Sequence, residues 1–262
     1  MSVKGKPLKP VHPNAGLEAL YRKRLEALVD EMHKSLDYWI GLAYRANTPK
    51  MALDASPAAM LRAMMKKLSR RWQAKFNKLA TQLGKHFAVE SAKRVDGQLA
   101  AMLKEAGMTV AFKMTPTMND VMQATIGEQV GLIRSIGAQY LSEVQGLVMR
   151  SVTVGGDMHT LSKELRKRYR VTRKRAALIA RDQNNKATAT LTRVRQTELG
   201  ITKAKWLHSS AGRTPRPEHV KWNDKPYDIS KGMWSEVDKR YVWPGTSINC
   251  RCVSIPIIPG LQ

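Results

Sequence analysis

Asn14–Ile40 reads NAGLEALYRKRLEALVDEMHKSLDYWI. Its apolar residues, Leu17, Leu20, Tyr21, Leu25, Leu28, Met32, Leu36, Trp39 and Ile40, recur at steps of three and four. That spacing puts them on one face of an α-helix. Asn14 carries a side-chain oxygen suited to cap the helix. Asn47-Thr48-Pro49 suits its end, because proline cannot continue a helix. A stripe of this width needs helical partners, and the next hundred residues supply them.

Ser56-Pro57 pairs a capping hydroxyl with proline at a first helical position, ahead of a stripe of Leu61, Met65, Leu68, Trp72, Leu79 and Leu83. Gly84 is expected to break this element before a further helical stretch through Leu99, Met102 and Leu103, ended by Gly107. A third long helix is expected from about Asn119 to Arg150, with Val121, Ile126, Val130, Ile133, Ile136, Tyr140, Val144 and Leu147 inward. Gly127, Gly131 and Gly137 each cost about 1 kcal/mol inside a helix, so they imply close packing or a kink. Gly155-Gly156-Asp157 marks a boundary; Asp157 caps a short helix to about Tyr169, and Thr172 another that Gly200 stops. Past Gly200 the texture changes. Ile201–Leu207 and Val253–Ile258 read as strands around a loop-rich stretch with Pro215, Pro217, Pro226 and Pro244. The fold class expected is α+β: a basic extended arm at 1–13, a helical region at 14–154, and a small α+β module with a short antiparallel sheet at 155–262.

Charge narrows the function. The chain has 262 residues, 43% of them hydrophobic, which argues against wholesale disorder. It carries 45 Lys and Arg against 21 Asp and Glu, a net charge of +24. Such an excess repels itself unless a polyanion or acidic partner screens it. No stretch approaches the roughly 20 apolar residues of a transmembrane helix, and Met1–Pro7 is basic without the apolar core of a signal peptide. A soluble protein with no membrane partner, made in a cytoplasm, is expected. Cys250 and Cys252 are no disulfide framework; one residue apart, they are expected to be reduced thiols.

The basic residues are clustered. Arg62, Lys66, Lys67, Arg70, Arg71, Lys75 and Lys78 lie at helical spacing away from the apolar stripe, and Lys163–Arg175 forms a second, almost continuous run. Phosphate-backbone contact with double-stranded DNA, blind to sequence and steeply salt-dependent, is the expected use. Arg166, Lys167, Arg168, Arg173, Lys174 and Arg175 are the leading candidates, with Arg70, Arg71 and Lys75 next. No zinc finger, aromatic RNA-recognition signature or Walker loop accompanies them.

A series of motifs fills the last two-fifths of the chain. It begins with Gly155-Gly156-Asp157 and Leu161–Leu165, then Arg175-Ala176-Ala177-Leu178-Ile179-Ala180-Arg181-Asp182 and a helix to Gly200. It continues with Lys205-Trp206-Leu207-His208, the element Arg213-Thr214-Pro215-Arg216-Pro217-Glu218-His219, and Pro244–Cys252 ending in Asn-Cys-Arg-Cys. This ordered set resembles the Mu F-like head morphogenesis proteins of tailed phages. It departs from their pattern at Asp182-Gln183, where Thr-Glu is common, and at Asn223-Asp224 in place of an Asp-Gly-type turn. The resemblance implies a minor capsid protein that joins the procapsid near the portal, with portal, scaffold or major capsid protein as partners. It implies a place in the capsid interior after assembly in the host cytoplasm. Arg181, Arg213, Arg216, His219, Asn249, Cys250 and Cys252 are its motif residues, expected to define the fold.

Two sharper uses of this module compete with that expectation. His219, Cys250 and Cys252 offer zinc its preferred ligands, but the spacing nominates no fourth, His208 included. A metal-dependent nuclease would use His219 as general base, Arg213 or Arg216 on phosphate, and Glu218 and Asp224 on a metal; no paired-carboxylate motif supports it. No catalysis, cofactor or bound metal is expected. Trp206, Trp222, Trp234 and Trp243 are expected to pack a small core rather than stack on bases.

Overall fold

The structure is a computed structural model that describes residues 6–47, 55–154, 157–210, 212 and 214–258, with the side chains of 46–47 and 55–58 outside the description. Gly155-Gly156, Arg213, Thr48-Pro49, Lys4 and the capping side chain of Ser56 therefore lie outside the described residues.

Four long helices carry most of the chain: α1 (Ala15–Asn47), α2 (Ala55–Glu105), α3 (Pro116–Thr153) and α4 (Met158–Glu198). Their ends follow local chemistry. Asn14 Oδ1 accepts the Leu17 N–H at 2.8 Å, as expected of the cap of α1. Thr115 Oγ1 accepts the Met118 N–H at 3.1 Å, and Pro116 follows it, so α3 starts before Asn119. Asp157 Oδ1 accepts the Thr160 N–H at 2.9 Å at the start of α4. Gly107 and Gly200, at φ of 84° and 74°, end α2 and α4. There the Met108 N–H reaches Leu103 O, and the Ile201 N–H reaches Gln196 O, each at 2.9 Å.

Two expected breaks do not occur. α2 runs through Gly84, because Leu83, Phe87 and Ala88 continue one buried stripe whose packing outweighs the glycine's cost. α4 runs through Thr172, whose hydroxyl bonds back to Arg168 O at 3.0 Å instead of capping a new helix. The helix glycines divide. A Cβ on Gly137 would meet the Phe76 ring at 2.7 Å, so close packing requires glycine there, whereas Gly127 and Gly131 have open space.

The chain forms two compact units, Met1–Glu18 with Lys85–Gly127 and Arg181–Gln262, and Ala19–Gly84 with Glu128–Ala180. They do not follow the boundary read at 154/155, since each long helix contributes a segment to both. Among its described residues the second unit holds helices and no strand. Its buried residues include Leu25, Met32, Leu36, Ile40, Leu61, Met65, Phe76, Ile133, Ile136 and Tyr140, largely the stripes read from the sequence, while Leu20 and Trp39 face outward.

The first unit holds the sheet. Its strands are β1 (Lys6–Pro7), β2 (Lys203–Leu207), β3 (Pro226–Asp228) and β6 (Val253–Ile258), in the order β1-β6-β2-β3 and antiparallel throughout. A hairpin of β4 (Met233–Ser235) and β5 (Arg240–Val242) and the short helix α5 (Pro217–Lys221) complete it. The described part of the N-terminal arm is pinned, with Lys6 opposite Ile258 and Pro7 opposite Ile257. The core joins Ile201, Ala204, Trp206, Tyr227, Ile229, Val242, Cys250 and Cys252, with Trp222 and Trp243 packed against it. Trp234 stays half-exposed and stacks edge-on with Tyr241. Three of the four tryptophans thus pack the core.

Candidate functional site

The described motif residues, Arg181, Arg216, His219, Asn249, Cys250 and Cys252, meet at the N-terminal side of β6. Within the first unit, α4 holds the loop before that strand with successive polar side chains. The Asn249 N–H donates to Asp182 Oδ1 at 2.6 Å, Arg181 donates to Asn249 Oδ1 at 3.1 Å, and Asn185 Nδ2 donates to Cys250 O at 3.0 Å. Arg216, from the residue before α5, donates to Ile248 O at 3.0 Å. Asn249 adopts φ 59°, a conformation Asn tolerates better than most residues. Gly245, at φ 84°, lets the loop lie on α4, where a Cβ would meet Ala189 at 2.9 Å.

This clamp places both cysteines against His219. Nδ1 of His219 lies 3.4 Å from Cys250 Sγ and 3.7 Å from Cys252 Sγ, and all three residues are buried. The imidazole is stacked on Trp222, with ring centroids 5.3 Å apart, and meets Trp206 edge-on at 4.9 Å. The two thiols are unlike. Hydrogen bonding with Cys252, followed by burial, pushes Cys250 up. Hydrogen bonding with Cys250 holds Cys252 down against the opposing effect of burial, helped by the Ser209 amide and the Arg216 charge. A cleft lined by His208, Thr214, Arg216, Asn249 and Arg251 opens beside them.

Of the nuclease candidates, His219 and Arg216 line this cleft, but the two carboxylates, Glu218 and Asp224, do not. Glu218 turns to the β4–β5 hairpin, accepting from Ser235 Oγ at 2.7 Å and from the Glu236 N–H at 2.8 Å. Those bonds hold its carboxyl below the usual range. Asp224 sits in a left-handed turn at φ 60°, where its N–H donates to Trp206 O at 2.8 Å.

In the second unit the continuous α4 sorts the basic run by face. Leu161, Leu165, Thr172 and Ala176 are buried, while Lys163, Arg166, Lys167, Arg170 and Lys174 are exposed at spacings of three and four and share one open surface. The other candidates have partners inside the unit. Arg173 bonds Glu26 at 3.0 Å and Asp30 at 3.2 Å, Arg168 pairs with Glu143 at 4.0 Å, and Arg175 donates to Ser135 O and Oγ. On α2, Arg62, Lys66, Lys67, Arg70, Arg71 and Lys78 are exposed opposite Leu61, Met65, Leu68 and Trp72. Lys75 there pairs with Glu31 and lies 4.9 Å over the Trp72 ring.

The sequence reading missed what holds the clamp. Its signal was a run of polar residues deep on one helix: Asp182, Gln183, Asn184, Asn185, Thr188 and Thr192 are all buried. Buried polar groups need partners, and these find several in the neighbouring loop and, for Asn184, in Asn14 O at 3.1 Å.

Comparison with known proteins agrees with these motifs. Residues 142–255 match the family described as Phage Mu protein F like protein, so this segment of the chain is Mu F-like. The chain is also 26% identical to an uncharacterized protein of Haemophilus influenzae, across 97% of its own length and 56% of the relative's. It thus spans little more than half of that protein. No solved structure matches. Among the described residues no helix is long and apolar enough to cross a membrane.

Proposed function

We propose that this protein is a phage head morphogenesis protein, a minor capsid component that docks near the portal during procapsid assembly and contacts packaged DNA without regard to sequence. The Mu F-like segment at 142–255 is the observation that carries the reading. The electrostatics support it. The chain carries a net charge of +24, and two exposed helical stripes present cations, Lys163, Arg166, Lys167, Arg170 and Lys174 on α4 and Arg62, Lys66, Lys67, Arg70, Arg71 and Lys78 on α2. A row of exposed cations with flexible stems suits contact with phosphates, which position a protein on the duplex and carry no sequence information. The interior of a filling capsid presents such a polyanion at high density.

In this reading the His219–Cys250–Cys252 module is architecture, and the protein is no enzyme. The test is co-expression with the portal, scaffold and major capsid proteins of the same phage. The protein is expected in purified procapsids, in amounts that fall when portal is omitted. Procapsids that exclude it, or take it up equally without portal, would overturn the docking claim.

A further inference from the structure

We propose that His219 Nδ1, Cys250 Sγ and Cys252 Sγ bind a thiophilic divalent metal ion, zinc, that ties α5 to the loop entering β6. The three ligand atoms lie within 4.8 Å of one another, and all three residues are buried. With zinc–sulfur and zinc–nitrogen bonds of about 2.3 and 2.0 Å, a tetrahedron has nitrogen–sulfur edges of about 3.5 Å. The edges here are 3.4 and 3.7 Å.

Hydrogen bonding alone accounts poorly for this arrangement. Nδ1 carries a single proton or a single lone pair, yet it faces two sulfurs at nearly equal distance. A metal ion satisfies all three at once. Cys250 Sγ also accepts the Gly245 N–H at 3.4 Å, the kind of support that orients a ligating thiolate. The tight Cys-x-Cys spacing is reconciled by the chain's path. Asn249, at φ 59°, turns the backbone just before Cys250, and β6 begins only at Val253, so neither cysteine sits in a regular strand with alternating faces. The donor set of two thiolates and an imidazole selects zinc over magnesium or calcium. Three protein ligands leave a fourth position toward the cleft that Arg216 and Asn249 line.

The 262-residue chain, purified under reducing conditions without chelator, is expected to carry about one zinc per chain. After chelation, added Co2+ should give a thiolate-to-cobalt charge-transfer band, and zinc should abolish it. Cys250→Ser and Cys252→Ser, each checked for native helicity, should weaken or lose the band. Should either variant fail to fold, alkylation of the wild-type thiols decides: zinc is expected to protect both. A folded wild-type chain that gives no band and whose thiols react equally fast with and without zinc overturns the proposal. So does a band that survives in both variants.

Discussion

At the scale of single residues, Gly137 and Gly131 make a controlled pair. Both sit in α3, and alanine at either would improve helix propensity by about 1 kcal/mol. At Gly131 that gain stands alone, because nothing lies within 4 Å of the added Cβ. At Gly137 the Cβ meets the Phe76 ring at 2.7 Å, and overpacking of this kind costs about 1–3 kcal/mol. Denaturant unfolding should therefore show Gly131→Ala stabilised and Gly137→Ala destabilised; the same sign for both would refute the packing argument. Arg195 is the other decisive residue. Though only 2% exposed, it is held by Asp96 at 2.7 Å, by Glu198 at 2.8 Å and by Lys113 O at 2.9 Å. Removing one partner of such a buried charge is costly. Asp96→Ala is expected to lower stability by about 3 kcal/mol, measured the same way.

At the scale of elements, the continuity of α4 is open to a direct test. A proline at the first position of a helix is tolerated, whereas one inside a helix costs about 3 kcal/mol. If Thr172 capped a separate helix, Arg173→Pro would fall at that first position. In the continuous α4 it should destabilise by about 3 kcal/mol more than Arg173→Ala, which removes the same pairs with Glu26 and Asp30. Equal effects would contradict the unbroken helix. The periodic stripes of Leu, Met and Ile made the helices legible, as did the caps at Asn14 and Asp157. Gly84 and Thr172 misled because both carry break signals that are local, while the packing that overrides them lies far away in sequence. The candidate site was legible as residue types. His219, Cys250 and Cys252 were visible as a set, but their meeting depends on the left-handed Asn249 and on the grip of Asp182 and Asn185, which no spacing rule encodes.

At the scale of the whole molecule, charge is the governing quantity. Arg173, Arg168 and Arg175 have partners within the helical unit, and Lys163, Arg166, Lys167, Arg170 and Lys174 form the exposed row on α4. Replacing these five with glutamine removes charge without touching the buried stripe. Stability should rise slightly at low salt as self-repulsion falls. Duplex DNA incubated with the wild-type protein and magnesium should stay intact, and His219→Ala should leave that result unchanged.

The measurement that bears most directly on the account is the affinity of the wild-type protein and this five-fold variant for a random-sequence duplex across a salt series. Wild type is expected to bind every duplex alike, with log affinity falling linearly against log salt, and the variant's slope should be shallower by about 0.9 for each phosphate it no longer neutralises. A wild-type protein that ignores DNA at about 0.15 M salt, or a variant with an unchanged slope, would contradict the claim that this face meets the genome.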